Sequence, residues 1–264
     1  SGLHADELII LAARPSVGKT AFVLNIAKNV AVNLNETVAI FSLEMGAESL
    51  VERIICSHAS INAGHLKTGK LTPEEYTQYF VATGALSEAP IFIDDTPGIR
   101  VAEIRAKCRR LKQERNNLGL VVIDYLQLIE GNGKESRQQE VSEISRNLKK
   151  LAKELKVPVI ALSQLSRGVE QRQDKRPIMS DIRESGSIEQ DADIVAFLYR
   201  DDYYRQEPDE NGHVPEVEPN STIEVIIEKN RSGPRGTVEL NFMKEFNKFT
   251  NLVPDGVEQN APMA

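Results

Sequence analysis

Residues 13–20, which read ARPSVGKT, have the residue types of a phosphate-binding loop. The apolar run Leu8–Ala12 leads into them and a helical pattern follows, which is the order of strand, loop and helix that such a loop requires. In this arrangement backbone N–H groups at a helix N-terminus surround one anion, Lys19 contacts the outer phosphates and Thr20 holds Mg²⁺. The sequence therefore predicts a nucleotide site formed by Ala13, Arg14, Pro15, Ser16, Val17, Gly18, Lys19 and Thr20.

The first position of this loop departs from the GxxxxGK[ST] pattern, because Ala13 stands where the pattern has glycine. Glycine is needed there only if the backbone adopts a positive φ angle. The alternative interpretation is a glycine-containing turn before an ordinary helix. A strand directly before the loop favours phosphate binding over that alternative.

Three polar residues at the ends of other apolar runs are predicted to complete the site. Asp124 can order Mg²⁺ through a water molecule, and Glu44 can act as the base or water-positioning residue that a P-loop ATPase needs. Gln164 can sense the γ-phosphate from the end of a neighbouring strand. Each residue also has a simpler interpretation: Asp124 as the start of a turn, Glu44 as an acid near a helix N-terminus, and Gln164 as a surface residue.

The elements that must position these residues alternate between short apolar runs and amphipathic stretches. This pattern predicts an α/β fold, in which a mostly parallel central sheet is flanked by helices. After Tyr199 only strand patterns remain, which predicts an antiparallel C-terminal extension. The predicted strands are Leu8–Ala12, Thr37–Ser42, Ile91–Asp94, Leu120–Asp124, Val157–Leu162, Ile194–Tyr199, Thr222–Glu228, Thr237–Phe242 and Phe249–Leu252.

Two helix starts carry capping signals. Thr72 is followed by a proline and then by Glu75, and Ser136 is followed by Gln139, so each cap has a capping-box partner three residues later. Two further runs have helical apolar spacing, which leaves their basic residues on the exposed face. These runs are Val101, Ile104, Cys108 and Leu111, and Val141, Ile144, Leu148, Leu151 and Leu155.

The composition allows a sizeable core, since 41% of the 264 residues are hydrophobic and 27% are charged, and it excludes disordered and fibrous classes. Much of the net charge of −7 lies between Asp201 and Pro219, where seven acids accompany one base, so the rest of the chain is close to neutral. Arg100–Arg115 holds seven bases and two acids. A polyanionic partner is therefore compatible with the acidic chain.

The sequence also disfavours a membrane protein and a zinc-binding protein. No run approaches the length of a membrane span and no signal-peptide pattern opens the chain, so we expect an intracellular protein without a membrane partner. Cys56 and Cys108 form no CxxC pair, and the four histidines are scattered. We expect two reduced, packed thiols and neither a zinc site nor a disulfide framework.

Six segments distributed over nearly the whole chain match one family pattern: ARPSVGKTAF (13–22), FSLEM (41–45), VVIDYLQLI (121–129), ALSQLSR (161–167), SDIRESGSIEQDADIV (180–195) and EKNRSGPRG (228–236). Together they resemble the DnaB-type replicative DNA helicases, specifically the C-terminal RecA-like motor domain. The combination of RESGSIEQDAD with KNRSGPRG is more specific to this family than the phosphate loop, and alanine also occurs at the first loop position in its members. The acidic stretch 201–219 is longer than the family pattern.

The resemblance implies a RecA-like P-loop ATPase over residues 1–254 that uses ATP and Mg²⁺, followed by a disordered tail at 255–264. Such a motor hydrolyses ATP at the subunit interfaces of a homohexameric ring. It moves on single-stranded DNA, 5′ to 3′ by resemblance, and unwinds duplex DNA at the replication fork. Primase, a helicase loader and the clamp-loader subunit of the polymerase are implied as further partners, in a bacterial or phage cytoplasm. The N-terminal collar domain, through which primase binds, is expected to be absent from this chain.

Two groups of residues acquire roles only through the resemblance. Arg183, Glu184 and Gly186 match the loop that grips single-strand phosphates, whereas their segment alone reads equally well as a capped, solvated helix. Lys229 and Arg231 match the cations that reach the ATP of a neighbouring subunit. Without the family pattern they would be read as an exposed hairpin turn.

Two alternative functions remain open from the sequence. One is a RecA-type recombinase or remodelling ATPase, which works as an ordered filament. The other is a regulatory nucleotide-binding ATPase of the same fold without a nucleic-acid ligand. Stimulation of ATP hydrolysis by single-stranded DNA separates the regulatory class from the other two, and a ring or a filament separates helicase from recombinase.

Overall fold

A nine-stranded sheet organises the computed structural model, which describes residues 2–131, 136–182, 185–204 and 219–252. The strand order is β3-β2-β4-β5-β1-β6-β7-β8-β9. The strands are β1 (Leu8–Ala13), β2 (Thr37–Ser42), β3 (Ile91–Asp94), β4 (Leu118–Asp124), β5 (Val159–Gln164), β6 (Ile194–Tyr199), β7 (Asn220–Asn230), β8 (Gly236–Met243) and β9 (Lys248–Asn251).

Strands β1 to β6 pair in parallel and β7 to β9 are added antiparallel to the β6 edge. The predicted α/β class with an antiparallel extension is therefore confirmed. The helices that connect and cover the strands are α1 (Lys19–Asn33), α2 (Ala47–Ala59), α3 (Ala63–Thr68), α4 (Pro73–Glu88), α5 (Val101–Arg115), α6 (Arg137–Leu155), α7 (Ser185–Asp191) and α8 (Asp201–Tyr204).

The two faces of the sheet bury separate apolar cores. Successive residues of a strand point to opposite faces, so Leu8 and Ile10 pack into one core while Ile9 and Leu11 pack into the other. Helices α5 and α6 cover the first face, and α1 and α2 cover the second. Near-continuous apolar strands are what a parallel sheet covered on both faces requires.

The fifth strand starts two residues later than the sequence predicts. Pro158 has no N–H group to donate to a neighbouring strand, and pairing of β5 with β1 begins at Val159 opposite Leu8. The strand then continues to Gln164, which pairs with Ala13. The prediction Val157–Leu162 was therefore wrong at both ends, and Gln164 lies at the strand end.

The predicted helix starts at Thr72 and Ser136 are confirmed. Thr72 Oγ1 accepts from Glu75 N–H at 3.2 Å, and Glu75 Oε2 accepts from Thr72 N–H at 2.9 Å. Gln139 Oε1 accepts from Ser136 N–H at 3.1 Å. These bonds satisfy backbone N–H groups that have no partner within the helix.

Both cysteines are unpaired and buried. Burial raises the pKa of the Cys56 thiol to about 11 and that of Cys108 to about 12, so both thiols are protonated at neutral pH. Among the described residues, no helix is long and apolar enough to cross a membrane. The predicted tail at 255–264 lies outside the described residues.

Candidate nucleotide site

The phosphate loop connects β1 directly to α1 at the carboxyl edge of the parallel strands. Ala13 is the last residue of β1 and is fully buried in extended backbone, which explains why alanine serves where the motif has glycine. The left-handed positions come later, at Ser16 with φ of 63° and at Gly18 with φ of 117°. Gly18 is the N-cap of α1, so the first free N–H groups of that helix point out of the loop.

Two buried arginines attach the phosphate loop to the rest of the chain. Arg14 is buried, and it donates from Nε to Glu170 Oε1 at 2.8 Å and from Nη1 to the Leu165 carbonyl at 2.9 Å. Arg200 is also buried and donates to the Val17 carbonyl at 3.4 Å. The predicted loop residue Arg14 thus binds its own chain through its side chain and fixes the shape of the loop.

Lys19 extends from the first turn of α1 towards the ends of β4 and β5. Its Nζ donates to the Ser163 carbonyl at 3.2 Å and lies 5.1 Å from the centre of the Tyr125 ring. Burial lowers the pKa of Lys19, and the carboxylates of Asp124 and Glu44 oppose that shift. A cation in this setting gains more from a phosphate group than an exposed lysine would, because water screens it less.

Thr20 and Asp124 form the second polar pair of the site. Thr20 Oγ1 donates to Asp124 Oδ2 at 2.7 Å, while Asp124 Oδ1 is buried and has no hydrogen-bond partner among the described residues. A buried carboxylate oxygen without a partner is rare in proteins unless an ion or water completes it. The hydroxyl and carboxylate oxygens fit Mg²⁺, which prefers oxygen ligands and keeps several waters.

A cleft of about 440 Å³ runs along this edge and brings together most of the predicted residues. Glu44 follows β2 and is exposed, and Gln164 enters from the end of β5. The lining residues are Arg14, Pro15, Ser16, Gly18, Lys19, Thr20, Ala21, Glu44, Met45, Arg53, Gln164, Phe242 and Asn247. Most of the polar residues predicted for ATP hydrolysis therefore share one open cleft. Ala13, Val17 and Asp124 are buried and do not line it, although Asp124 is linked to it by its bond to Thr20.

Five residues that line this cleft were not among the predicted site residues: Ala21 and Met45, which each adjoin a predicted residue, and Arg53, Phe242 and Asn247. Arg53 comes from α2, whereas Phe242 and Asn247 come from the antiparallel extension more than 200 residues from the phosphate loop. Phe242 stacks on Phe249 with ring centres 4.4 Å apart. No local motif marks Phe242 or Asn247, because the pairing of β8 and β9 beside α1 brings them to the loop.

The predicted DNA-contacting residues are only partly described. Arg183 and Glu184 lie outside the described residues, and Gly186 lies in α7 with an exposed surface. Gly186 also lines a cleft of about 610 Å³ with Lys229 and Arg231. The segment matched to DNA contact thus lies beside the pair matched to the neighbouring nucleotide.

Lys229 and Arg231 lie at the opposite edge of the sheet from the phosphate loop. Strand β7 runs antiparallel to β6, and Asn230 pairs with Ile194, the first residue of β6. Arg231 N–H donates to the carbonyl of Asp193, whose own N–H donates to the carbonyl of Leu8 at the start of β1. The six residues of β1 separate this point from the loop by roughly 17 Å, at about 3.3 Å per residue.

A phosphate loop at the carboxyl edge of a mostly parallel sheet, with antiparallel strands added beyond β6, defines a RecA-like P-loop ATPase. The family model described as the DnaB-like helicase C terminal domain matches residues 1–251. The chain belongs to this family.

Curated relatives agree with this assignment. The replicative DNA helicase DnaB of Geobacillus stearothermophilus is 68% identical over 96% of this chain and 54% of its own length. The replicative DNA helicase DnaC of Bacillus subtilis (strain 168) is 66% identical over the same shares. The chain thus spans about half the length of the curated relatives it matches.

Solved structures share the fold over nearly the whole chain. A DnaB-like replicative helicase, studied with its primase interactions, superposes with a TM-score of 0.88 at 47% identity and covers 96% of this chain and 59% of its own. A second solved structure, of an ATPase domain, gives a TM-score of 0.87 at 47% identity, over 96% of this chain and 87% of its own. The KaiC-like protein PH0186 from Pyrococcus horikoshii OT3, at 18% identity and a TM-score of 0.61 over 94% and 90%, shares the fold alone.

Proposed function

We propose that residues 1–254 form the ATP-hydrolysing motor of a replicative DNA helicase. The proposal rests on family membership, on the cleft that the phosphate loop shares with Glu44 and Gln164, and on Asp124, which is bonded to Thr20 of that cleft. It takes ATP as the nucleotide, Mg²⁺ as its metal and single-stranded DNA as the track. The bacterial relatives, which are replication proteins, support a cytoplasmic location.

Within the cleft, each residue of this chain has a separate task. The loop from Ala13 to Thr20 binds the phosphates through its backbone, and Lys19 neutralises charge on the outer ones. Thr20 and Asp124 would hold Mg²⁺, which when bound neutralises charge on the phosphate oxygens. Glu44 orients the attacking water and takes its proton.

The proposal that ATP is hydrolysed between subunits rests on one observation, which is the distance of Lys229 and Arg231 from the phosphate loop. Lys229 and Arg231 lie roughly 17 Å of strand away from the loop of their own chain, too far to contact the nucleotide bound there. We therefore assign them to the nucleotide of another chain. A closed ring repeats this contact at every interface, which agrees with the homohexamer implied by the resemblance.

The position of α7 suggests how hydrolysis is coupled to movement. Arg183 can pair with a strand phosphate, and Gly186 lets backbone N–H groups approach the next one, so the grip needs no base edges. Gln164 is the last residue of β5, which pairs with β1. It would transmit the presence of the γ-phosphate from the cleft towards α7. Each ATP cycle would then move the grip along one strand, 5′ to 3′ by family resemblance, while the other strand is excluded.

The whole helicase would also use partners outside this motor. One DnaB-like neighbour was studied in its interactions with primase, which supports primase as a partner here. A helicase loader and the polymerase clamp-loader subunit complete the proposed set. These contacts would link unwinding to priming and synthesis.

The direct test of this function measures ATP hydrolysis with and without single-stranded DNA. We expect stimulation in the parent chain, and Arg183→Ala should weaken DNA binding equally for all sequences, reduce its salt dependence and leave basal hydrolysis intact. Lys70→Ala, which removes an exposed cation between α3 and α4, is the control and should change neither DNA binding nor hydrolysis. A lack of DNA stimulation in assembled rings would favour the regulatory ATPase, and filaments would favour a recombinase.

A further inference from the structure

Asp193 lies where α7 ends and β6 begins, and it is buried. Its backbone N–H donates to the Leu8 carbonyl at 2.9 Å, and its carboxylate Oδ2 accepts from the Leu8 N–H at 2.8 Å. These two bonds fix Asp193 to the first residue of β1. A side chain attached to the sheet in this way is a rigid support for whatever binds its other oxygen.

The other oxygen of Asp193 binds Arg231. Arg231 Nη1 donates to Asp193 Oδ1 at 3.3 Å, Nη2 donates to the Gln190 carbonyl at 3.3 Å, and the Arg231 backbone N–H donates to the Asp193 carbonyl at 2.9 Å. Both the backbone and the guanidinium of Arg231 are therefore held by the end of α7. The side chain of Arg231 nevertheless remains 55% exposed.

Lys229 binds the same end of α7. Its Nζ donates to the carbonyls of Glu189 and Ala192, both at 2.6 Å. Carbonyls at a helix C-terminus have no partner within the helix, so a lysine there satisfies them. The two cations thus share one support, and within it Asp193 is the residue whose carboxylate bonds Arg231.

We propose that Asp193 is a positioning residue for Arg231: it orients the guanidinium for the nucleotide of the neighbouring subunit. This inference rests on the proposed function, in which Arg231 acts in trans. A guanidinium has five N–H donors, and the bonds to Asp193 and Gln190 leave donors for a phosphate oxygen. A finger held before the neighbour arrives requires less ordering at the transition state.

A purely structural role for Asp193 is the competing explanation. Lys149 Nζ donates to Asp193 Oδ2 at 2.5 Å and to the Asp6 carbonyl at 2.7 Å, which attaches α6 to the start of β1. If Asp193 served only as the counter-ion of Lys149, its loss would affect stability and would reduce activity only through unfolding. The two explanations therefore predict different responses when Lys149 is replaced as well.

The first test compares Asp193→Asn with the double variant Asp193→Asn/Lys149→Met in the full chain. Asparagine keeps an oxygen for Leu8 and loses the charge that orients Arg231. Because a misplacement of about 1 Å can cost roughly 10²-fold in rate, we expect kcat for ATP to fall by about that factor while KM changes little. The double variant also removes the lysine that has lost its counter-ion, so its melting temperature should recover while kcat stays low.

The single variant Lys149→Met keeps the Asp193–Arg231 contact and should keep near-parental kcat. Recovery of kcat together with the melting temperature in the double variant would overturn the proposal in favour of the structural role. A kcat within twofold of the parent for folded Asp193→Asn would overturn it as well. If Asp193→Asn does not fold, the double variant alone decides the question.

The second test asks which subunit's nucleotide site the Asp193→Asn substitution affects. It uses rings that contain two different variants, and a mass measurement shows that the two kinds of chain assemble together. Asp193→Asn mixed with Lys19→Ala should recover hydrolysis, because an intact finger then faces an intact loop. Asp193→Asn mixed with Arg231→Ala should not recover, since both supply a defective finger. Equal behaviour of the two mixtures would overturn the proposal alone. A mixture of Arg231→Ala with Lys19→Ala that stays inactive would instead overturn the trans assignment, and the proposal with it.

Discussion

The two edges of the parallel sheet carry functional residues in contrasting ways. At the carboxyl edge, Thr20 binds Asp124 and Lys19 binds Ser163, so the nucleotide cleft is assembled by contacts within one chain. At the amino edge, Arg231 is supported by its own chain but more than half of its side chain remains exposed. The first site is therefore formed by the folding of one chain, whereas we propose that the second is completed by a neighbouring chain.

The contrast has an energetic side as well. Asp124 is 1% exposed, one of its oxygens has no partner among the described residues, and burial lowers the pKa of Lys19. The site therefore keeps polar groups that the fold alone does not fully satisfy. Arg231 is 55% exposed, but its guanidinium bonds the buried Asp193 carboxylate, so Arg231→Ala should cost about 1 kcal/mol of stability. Variants of the loop residues Gly18 and Lys19 should change ATP binding, whereas Arg231→Ala should leave ATP binding nearly intact and change turnover.

The largest effect is expected for Lys19→Ala. Loss of the charge-assisted contacts to two phosphates should abolish hydrolysis and sharply weaken ATP binding, measured by turnover and by calorimetric titration. Because burial disfavours the charged amine, the melting temperature should not fall. Lys28→Ala, on the same helix but outside the cleft, is the control and should retain activity.

Glu44→Gln comes next and separates binding from chemistry. Removing a general base typically costs 10²–10⁴-fold, so kcat should fall by about that factor while ATP still binds. Glu48→Gln in the first turn of α2 is the matched control, since Glu48 is exposed and does not line the cleft. Near-parental kcat in Glu44→Gln would return Glu44 to the simpler role of an acid near a helix N-terminus.

Gly18→Ala tests the shape of the loop. With φ of 117° and an added Cβ only 3.2 Å from Phe242 Cε1, alanine should destabilise the chain by about 1–3 kcal/mol and weaken ATP binding. Gly84→Ala is the opposite control. Gly84 lies inside α4 with open space around it, so alanine should stabilise the fold by about 0.5–1 kcal/mol, as measured by urea unfolding.

The smallest effect concerns the capping box of α4, far from both edges. Thr72→Ala removes the acceptor for Glu75 N–H and should cost about 1 kcal/mol of unfolding free energy without changing kcat. Urea denaturation and steady-state hydrolysis on the same sample measure both. A change in kcat would mean that α4 takes part in the ATP cycle. That result would contradict the assignment of the ATP cycle to the two edges of the sheet.

Much of the cleft could be predicted from the sequence because its residues follow strands. A parallel sheet brings the carboxyl ends of its strands to one edge. Correct strand patterns were therefore enough to group Lys19, Glu44, Asp124 and Gln164. The patterns for β2, β3 and β6 gave the observed bounds. The late start of β5 follows from Pro158, which cannot donate to the sheet and which an apolar pattern does not register.

The rest depended on contacts between distant segments, which no local pattern records. Phe242 and Asn247 reach the cleft through strand pairing, and Asp193 acquires partners from β1, α6 and the β7–β8 hairpin. The family resemblance marked Arg231 but not what holds it. Residues whose role is to bind another functional residue carry no motif of their own.

The central claim is that one chain's Arg231 serves another chain's nucleotide, and mixed rings test it most directly. An arginine finger can contribute roughly 10³–10⁵ in kcat, so Arg231→Ala alone should bind ATP and lose turnover. Equimolar Arg231→Ala and Lys19→Ala, with co-assembly measured independently, should recover part of the parental rate because intact fingers then face intact loops. Co-assembled mixtures that stay at background, while titrating parental chains with either variant lowers the rate only in proportion, would contradict the claim.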